Sequence, residues 1–416
     1  MLAPLMDVLS TIGAELASKP LLYATLPVTA ALVGYVTNVL AIKMMFLPIR
    51  FIGIPPYLGW QGIIPSKSGK MAAIAVDTIT RHLITVDEIF SRIDPERLAR
   101  ELEAPLTTAV EEIADEVMNA HYPRLWVSLP EAVRIRLTRR LQEDVPAVVR
   151  DITRDVRTHV HEVFNLKDMV VTKLLRERTL INRIFLETGH AEFRFIGHSG
   201  LYFGFLFGLI QTLIYTVIQS PWQLPLAGLL VGYATNWIAL YLIFNPRQPR
   251  RFGPWTFQGL FMKRQAEVAR DYGNLVADEI LTPANIIEAI LKGPQADRVV
   301  ALIQRHVQRS LDAQVGFAGR LAPIAFGGER YASAQAEAIQ QLLDRLPLNL
   351  RRVEPYAADA MDIRNTLVTR LQGLPPDDFE AMLRPAFKED EWLLIAVGAA
   401  LGFLVGVGQM FLPGIR

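Results

Sequence analysis

The hexapeptide Val33-Gly34-Tyr35-Val36-Thr37-Asn38 returns as Val231-Gly232-Tyr233-Ala234-Thr235-Asn236, each copy set in a long apolar run. Similarity at one fixed spacing marks a repeat architecture and takes precedence over any local reading. The spacing of 198 residues extends outward: Pro27 falls on Pro225, Ala41 on Ala239, Phe46 on Phe244 and Pro48 on Pro246. One residue is then lost, so Gln61-Gly62 meets Gln258-Gly259 and Thr85 meets Thr282. At the far end the first spacing resumes. Gly200, Gly204, Phe205, Leu206, Gly208 and Gln211 match Gly398, Gly402, Phe403, Leu404, Gly406 and Gln409. A chance peptide match does not foretell a second cluster at the same shift, so nearly the whole chain reads as a duplication.

Apolar residues make up 51% of the chain and charged ones 20%, yet charge is excluded from residues 21–42, 200–218, 224–244 and 392–412. About 20 apolar residues at 1.5 Å each cover the roughly 30 Å of a bilayer's hydrocarbon, so each stretch is long enough to span. A wholly buried helix of a large soluble protein is the plainer alternative, and four such runs together argue against it. With no cysteine in the chain, disulfides, thiolate metal sites and thiol nucleophiles are excluded together. The first twenty residues hold Asp7 and Glu15 without an early basic cluster, which is not the pattern of a cleavable signal peptide. Leu2, Leu5, Leu9, Ile12 and Leu16 recur at helical spacing, as in a surface-lying amphipathic helix or a first helix packed on the bundle.

Basic residues near the membrane ends give the orientation. From Pro48 to Val76 the only charges are Arg50, Lys67 and Lys70, and from Asn245 to Ala266 only Arg247, Arg250, Arg251, Lys263 and Arg264. The short turn from Ser220 to Gln223 is uncharged. By the positive-inside rule the two large polar regions are expected in the cytoplasm, with both termini outside. Each unit crosses the membrane an even number of times, so the repeats are expected to be parallel, related by a pseudo-twofold axis along the membrane normal. The expected fold is an all-α integral membrane protein of two parallel tandem repeats, with four transmembrane helices and two helical cytoplasmic domains. In order these are an amphipathic segment (1–20), a span (21–47), a helical domain (48–198), spans at 199–219 and 222–245, a second helical domain (246–390) and a last span (391–413). The repeats cover 21–219 and 222–413.

The polar regions read as helical. Leu141, Val145, Val148, Ile152, Val156, Val160 and Val163 recur three or four apart, an apolar face that needs a partner. Thr85 with Glu88 fits a capping box, and Asp94-Pro95 a helix start. No alternating run argues for a sheet. Glycine and proline gather at 51–65 and 316–328; the first of these, with Trp60, reads equally as an interfacial segment or a plain membrane-proximal loop.

Inside the spans, Thr37, Asn38, Thr235 and Asn236 place polar groups at membrane depth, where they must face protein or water. About a twofold axis the two asparagines could converge, joined by Gln211 and Gln409, as a polar site or solute path. Interhelical hydrogen bonding that merely holds the bundle is the plainer reading. Gly200, Gly204 and Gly208, and again Gly398, Gly402 and Gly406, stand four apart and make a smooth strip for close packing against the partner repeat or another copy of the chain. The bases Arg50, Lys67, Lys70, Arg247, Arg250, Arg251, Lys263 and Arg264 are candidates for anionic lipid headgroups, or topology signals only.

Enzymatic signatures are thin. The seven histidines are scattered without metal-ligand spacing, and no phosphate loop, nucleophile elbow or metalloprotease helix appears. The reading assigns no catalytic residue, no metal and no cofactor. A net charge of +1 leaves no basic field over the polar domains, so no nucleic-acid partner is expected. Membrane lipids and further copies of the chain are the partner classes left open.

The run Gly34-Tyr35-Val36-Thr37-Asn38-Val39-Leu40-Ala41-Ile42-Lys43-Met44, followed by Phe46, Pro48 and Gly62-Ile63-Ile64-Pro65, resembles the opening motif of the bacterial membrane-protein family of YheB and YjiN, domain of unknown function 445. Glu192-Phe193-Arg194-Phe195-Ile196, the glycine strip and Gln211 resemble its closing motif. Lys43 becomes Tyr241 in the second copy and Ile64-Pro65 becomes Phe261-Met262, so a site on the axis need not be symmetric. The resemblance implies a multi-pass protein of the bacterial inner membrane and supplies no activity. Two functions are expected from the whole: a non-enzymatic envelope scaffold or maintenance factor whose helical domains bind partners or a lipid surface, and, as the alternative, a transporter or lipid-handling protein with a polar site between repeats.

Overall fold

The computed structural model describes residues 17, 19–54, 58–319, 328–383 and 391–411. Nine of the described helices organise it: α1 (Pro20–Phe46), α2 (Pro95–His121), α3 (Glu131–Thr158), α4 (His190–Val217), α5 (Gln223–Phe244), α6 (Pro283–Lys292), α7 (Ala296–Gly319), α8 (Gly328–Arg351) and α9 (Glu391–Gln409). Further helices of 11 residues or fewer join them. The chain divides into two compact units, one of Met1–Ala75, Leu174–Tyr272 and Arg370–Arg416, the other of Val76–Lys173 and Gly273–Thr369.

The first unit holds α1, α4, α5 and α9, the four helices long and apolar enough to cross a membrane. Helix α1 lies along α4 and α5 along α9; α4 also rests on α5, α1 on α9, and α1 touches α5. Val28, Leu32, Leu206, Ile210, Leu230 and Leu404 are exposed on these helices. So much outward apolar surface suits a lipid-facing bundle. Helix α4 begins at His190, so the second charge-poor stretch is preceded by nearly three helical turns, at about 3.6 residues each, bearing Glu192 and Arg194.

Two small hairpins depart from the expectation of helix alone. Strands β1 (Ile52–Ile54) and β2 (Leu58–Trp60) pair antiparallel after α1, as do β3 (Arg250–Phe252) and β4 (Trp255–Phe257) after α5. Three-residue strands are too short to show a period of two, which is why no alternation announced them. The matched Gln-Gly pairs close both hairpins. Gln61 Nε2 donates to Ile49 O at 2.9 Å and Gly62 N to Pro48 O at 2.9 Å; Gln258 Nε2 donates to Arg247 O at 3.2 Å and Gly259 N to Pro246 O at 3.0 Å.

The second unit is built from both polar segments around shared apolar cores. Helix α2 packs on α3 and α8, and α3 on α7. Ala99, Leu102, Leu106, Val145, Val149 and Val353 bury together. Thr85 caps its helix by accepting from Glu88 N at 3.2 Å, Thr282 does the same for Asn285 N at 3.1 Å, and Asp94 accepts from Glu96 N with Pro95 in the first turn. The apolar stripe predicted from Leu141 is interrupted at His159, and Val160–Val163 is a separate short helix. Most of the expected amphipathic segment at 1–20 and most of the glycine-rich stretch at 316–328 lie outside the described residues.

Candidate functional site

The polar residues at membrane depth are all buried, as the cost of an unsatisfied group in hydrocarbon requires. They do not form one cluster. Asn38 Nδ2 donates to Ile196 O at 2.6 Å, and 198 residues on Asn236 Nδ2 donates to Leu394 O at 2.8 Å. Each asparagine thus ties α1 to α4, or α5 to α9. Thr37 and Thr235 turn back onto Gly34 O and Gly232 O. Gln409 reaches across, donating to Thr29 Oγ1 at 3.0 Å.

The glycine strips explain why the asparagines lie so close to a neighbouring backbone. A Cβ on Gly200 would stand 2.2 Å from Gly34 O, one on Gly204 2.6 Å from Ala30 O, and one on Gly208 2.7 Å from Pro27 Cα. Gly398, Gly402 and Gly406 meet Gly232, Gly228 and Leu224 as tightly. The strip therefore closes on the first span of its own half, not on the other half as the sequence reading allowed. The physical reason is that α1 carries its own small residues, Gly34, Ala30 and Ala31, at the matching face.

At the polar ends of the spans, a buried ion pair links the two halves of the chain. Glu192, in the first turn of α4, is buried; Arg264 Nη1 donates to its Oε1 at 2.8 Å and Oε2 at 2.9 Å. Arg264 also grips Glu267 through Nε at 2.9 Å and Nη2 at 2.8 Å. These bonds, that to Glu267 first, hold the arginine above its ordinary pKa, and the same contact holds the Glu267 carboxyl below the usual carboxylate range. Nearby, a cavity of about 40 Å³ lined by Ala41, Glu192, Asn236 and Leu394 has room for a water molecule or two.

The eight bases sort by partner. Arg264 is used in that pair, and Arg247 is held by Asp377 at 3.0 Å and by buried Glu380. Lys67 and Lys70 are engaged as well. Arg50, Arg250, Arg251 and Lys263 are exposed, with no carboxylate partner among the described residues. They border the hairpins, where Phe51, Ile52 and Ile54 are exposed too.

The histidines are used singly. His121 meets Glu337 at 2.7 Å, His161 meets Asp87 at 2.8 Å and His306 meets Asp155 at 2.8 Å; among the described residues none joins a cluster able to hold a metal.

Sequence reasoning missed a cavity in the helical unit. A cavity of about 310 Å³ runs between α2, α3, α6, α7 and α8, lined by aliphatic side chains such as Leu106, Leu141, Val148, Ile287, Ile303 and Leu342. Sealed and empty, a void of this size would cost on the order of 7 kcal/mol. That rivals the whole stability of a domain, about 5–15 kcal/mol. The stripe on α3 was visible in the sequence; that its partners leave a gap was not, because periodicity reports a face and not the volume in front of it.

Glycine-seamed apolar helices with an outward apolar surface define an α-helical membrane protein. Residues 28–127 match the family described as Protein of unknown function (DUF445). It is 32% identical over 91 residues to a UPF0754 membrane protein of Cyanothece sp., covering 21% of this chain and 22% of that one. Likewise it is 32% identical over 92 residues to one of Bacillus pumilus (21% and 24%) and 40% over 68 residues to one of Synechococcus elongatus (15% and 16%). The chain spans about a fifth of the length of the curated relatives it matches. No solved structure matches it.

Proposed function

We propose that the chain is a non-enzymatic scaffold or maintenance protein of the bacterial inner membrane, a duplicated pair of spans with parallel repeats that anchors a helical cytoplasmic unit and grips the lipid surface through its two hairpins. The observation that carries this reading is the pairing of unpartnered bases with exposed apolar residues where the chain leaves α1 and α5: Arg50, Phe51, Ile52 and Ile54 on one hairpin, Arg250 and Arg251 on the other. An apolar tip enters the headgroup boundary, and each nearby base adds on the order of 1 kcal/mol toward anionic lipid. The recurrence of the Gly34–Gly200 seam and the Asn38–Ile196 bond at Gly232–Gly398 and Asn236–Leu394 supports the duplication.

The transporter reading is weaker, since the Nδ2 group of each intramembrane asparagine is spent on neighbouring backbone. The test uses the absence of native cysteine. A fluorophore on Ile54→Cys, in nanodiscs, is expected to be quenched by shallow spin-labelled lipid and more strongly as phosphatidylglycerol rises. Arg250→Glu with Arg251→Glu should weaken that dependence for a probe on the second hairpin. Probes that stay unquenched at every lipid composition would overturn the reading.

A further inference from the structure

We propose that the helical unit binds a single-chain anionic amphiphile, a fatty acid, inside the cavity between its helices. The cavity follows α3 from Leu141 to Arg157, roughly 24 Å at about 1.5 Å per residue. Its 310 Å³ takes roughly ten methylene groups if each displaces about as much as a water molecule, around 30 Å³. A single alkyl chain fits this aliphatic space, and a fatty acid is the simplest anionic amphiphile that supplies one.

The few polar groups in the lining sort the headgroup. Thr153 Oγ1 is satisfied by Val149 O at 2.7 Å, Ser310 by Asp144 at 2.8 Å, and the Tyr356 hydroxyl by the backbone of Asp94. Arg157 is the one charged residue of the lining. Its Nη1 makes a long bond to Ile93 O at 3.4 Å, and no carboxylate among the described residues stands within ion-pairing distance. An aliphatic chamber with one free guanidinium is complementary to a carboxylate on an alkyl tail: the tail gains by leaving water, and the headgroup meets the planar donor fork suited to it. This assignment stands independently of the hairpins.

The experiment uses the full chain in nanodiscs and a dodecanoic acid carrying an aliphatic diazirine. Photolabelled peptides are expected from residues 141–157 and 286–311, displaced by excess dodecanoate. Affinity should rise about threefold to fourfold per added methylene and level off near ten carbons. Arg157→Gln should weaken dodecanoate at least tenfold while leaving dodecanol unchanged, a difference that a merely structural arginine would not produce. Val148→Phe, which narrows the cavity, should weaken labelling there. Labels confined to the spanning helices, labels in the helical unit that excess dodecanoate does not displace, or equal losses for acid and alcohol in Arg157→Gln would overturn the proposal. Because wild-type competition and the chain-length series need no variant, a misfolded substitution leaves the test intact.

Discussion

Among single residues, Arg264 bears the largest electrostatic load. Its partner Glu192 is buried, so removing the guanidinium strands a charge away from water, and breaking a buried pair from one side costs about 3–5 kcal/mol. Arg264→Met is expected to lower the thermal midpoint of the purified protein sharply, and adding Glu192→Gln should recover part of the loss. Full additivity of the two losses would refute the pairing. The pH dependence has a definite sign. Because Arg264 lowers the Glu267 carboxyl below its unfolded value, that contribution is present above the ordinary carboxylate pKa and is lost as pH falls through the lowered one. Glu267→Gln should flatten that acid limb. This network was illegible in the sequence: Glu192 and Arg264 stand 72 residues apart, and nothing local in either motif names the other.

Between elements, the seams decide stability, and here the sequence was more open. Small residues four apart announced close packing; which helix they faced was undetermined, because spacing fixes a face and not its neighbour. The caps at Thr85 and Asp94 were legible for the opposite reason, since their chemistry is local. In an isolated helix, alanine for glycine is favourable by roughly 0.5–1 kcal/mol. At Gly34 that gain is overwhelmed. A Cβ there would stand 2.2 Å from Gly200 O, forcing two backbones apart at an overpacking cost of about 1–3 kcal/mol or more. Gly34→Ala and Gly232→Ala should each lower the thermal midpoint. Gly408→Ala, whose Cβ meets nothing within 4 Å, should raise it or leave it unchanged. Equal effects at all three positions would mean that helix propensity, and not the seam, governs the bundle.

For the whole molecule, the four spans were readable because an uninterrupted apolar run needs no knowledge of its neighbours, whereas the grouping of the two polar segments was not. They were expected as separate helical domains, and their helices share one core: Leu102 and Leu106 from the first bury with Val353 from the second, flanked by Leu342 and Leu350. His121–Glu337 and the contacts of Arg345 with Glu112 and Glu116 cross the same boundary. Residues that interdigitate cannot be separated by a bilayer, so both segments must face one aqueous compartment, and an even number of crossings must lie between them. The cysteine-free sequence makes this directly testable. Glu103→Cys and Asp344→Cys, introduced singly, are expected to react with an impermeant maleimide from the same face of sealed vesicles, the cytoplasmic one in the topology proposed from the bases flanking α1 and α5. Modification from opposite faces would break the shared core, and with it the chamber proposed to hold an alkyl chain.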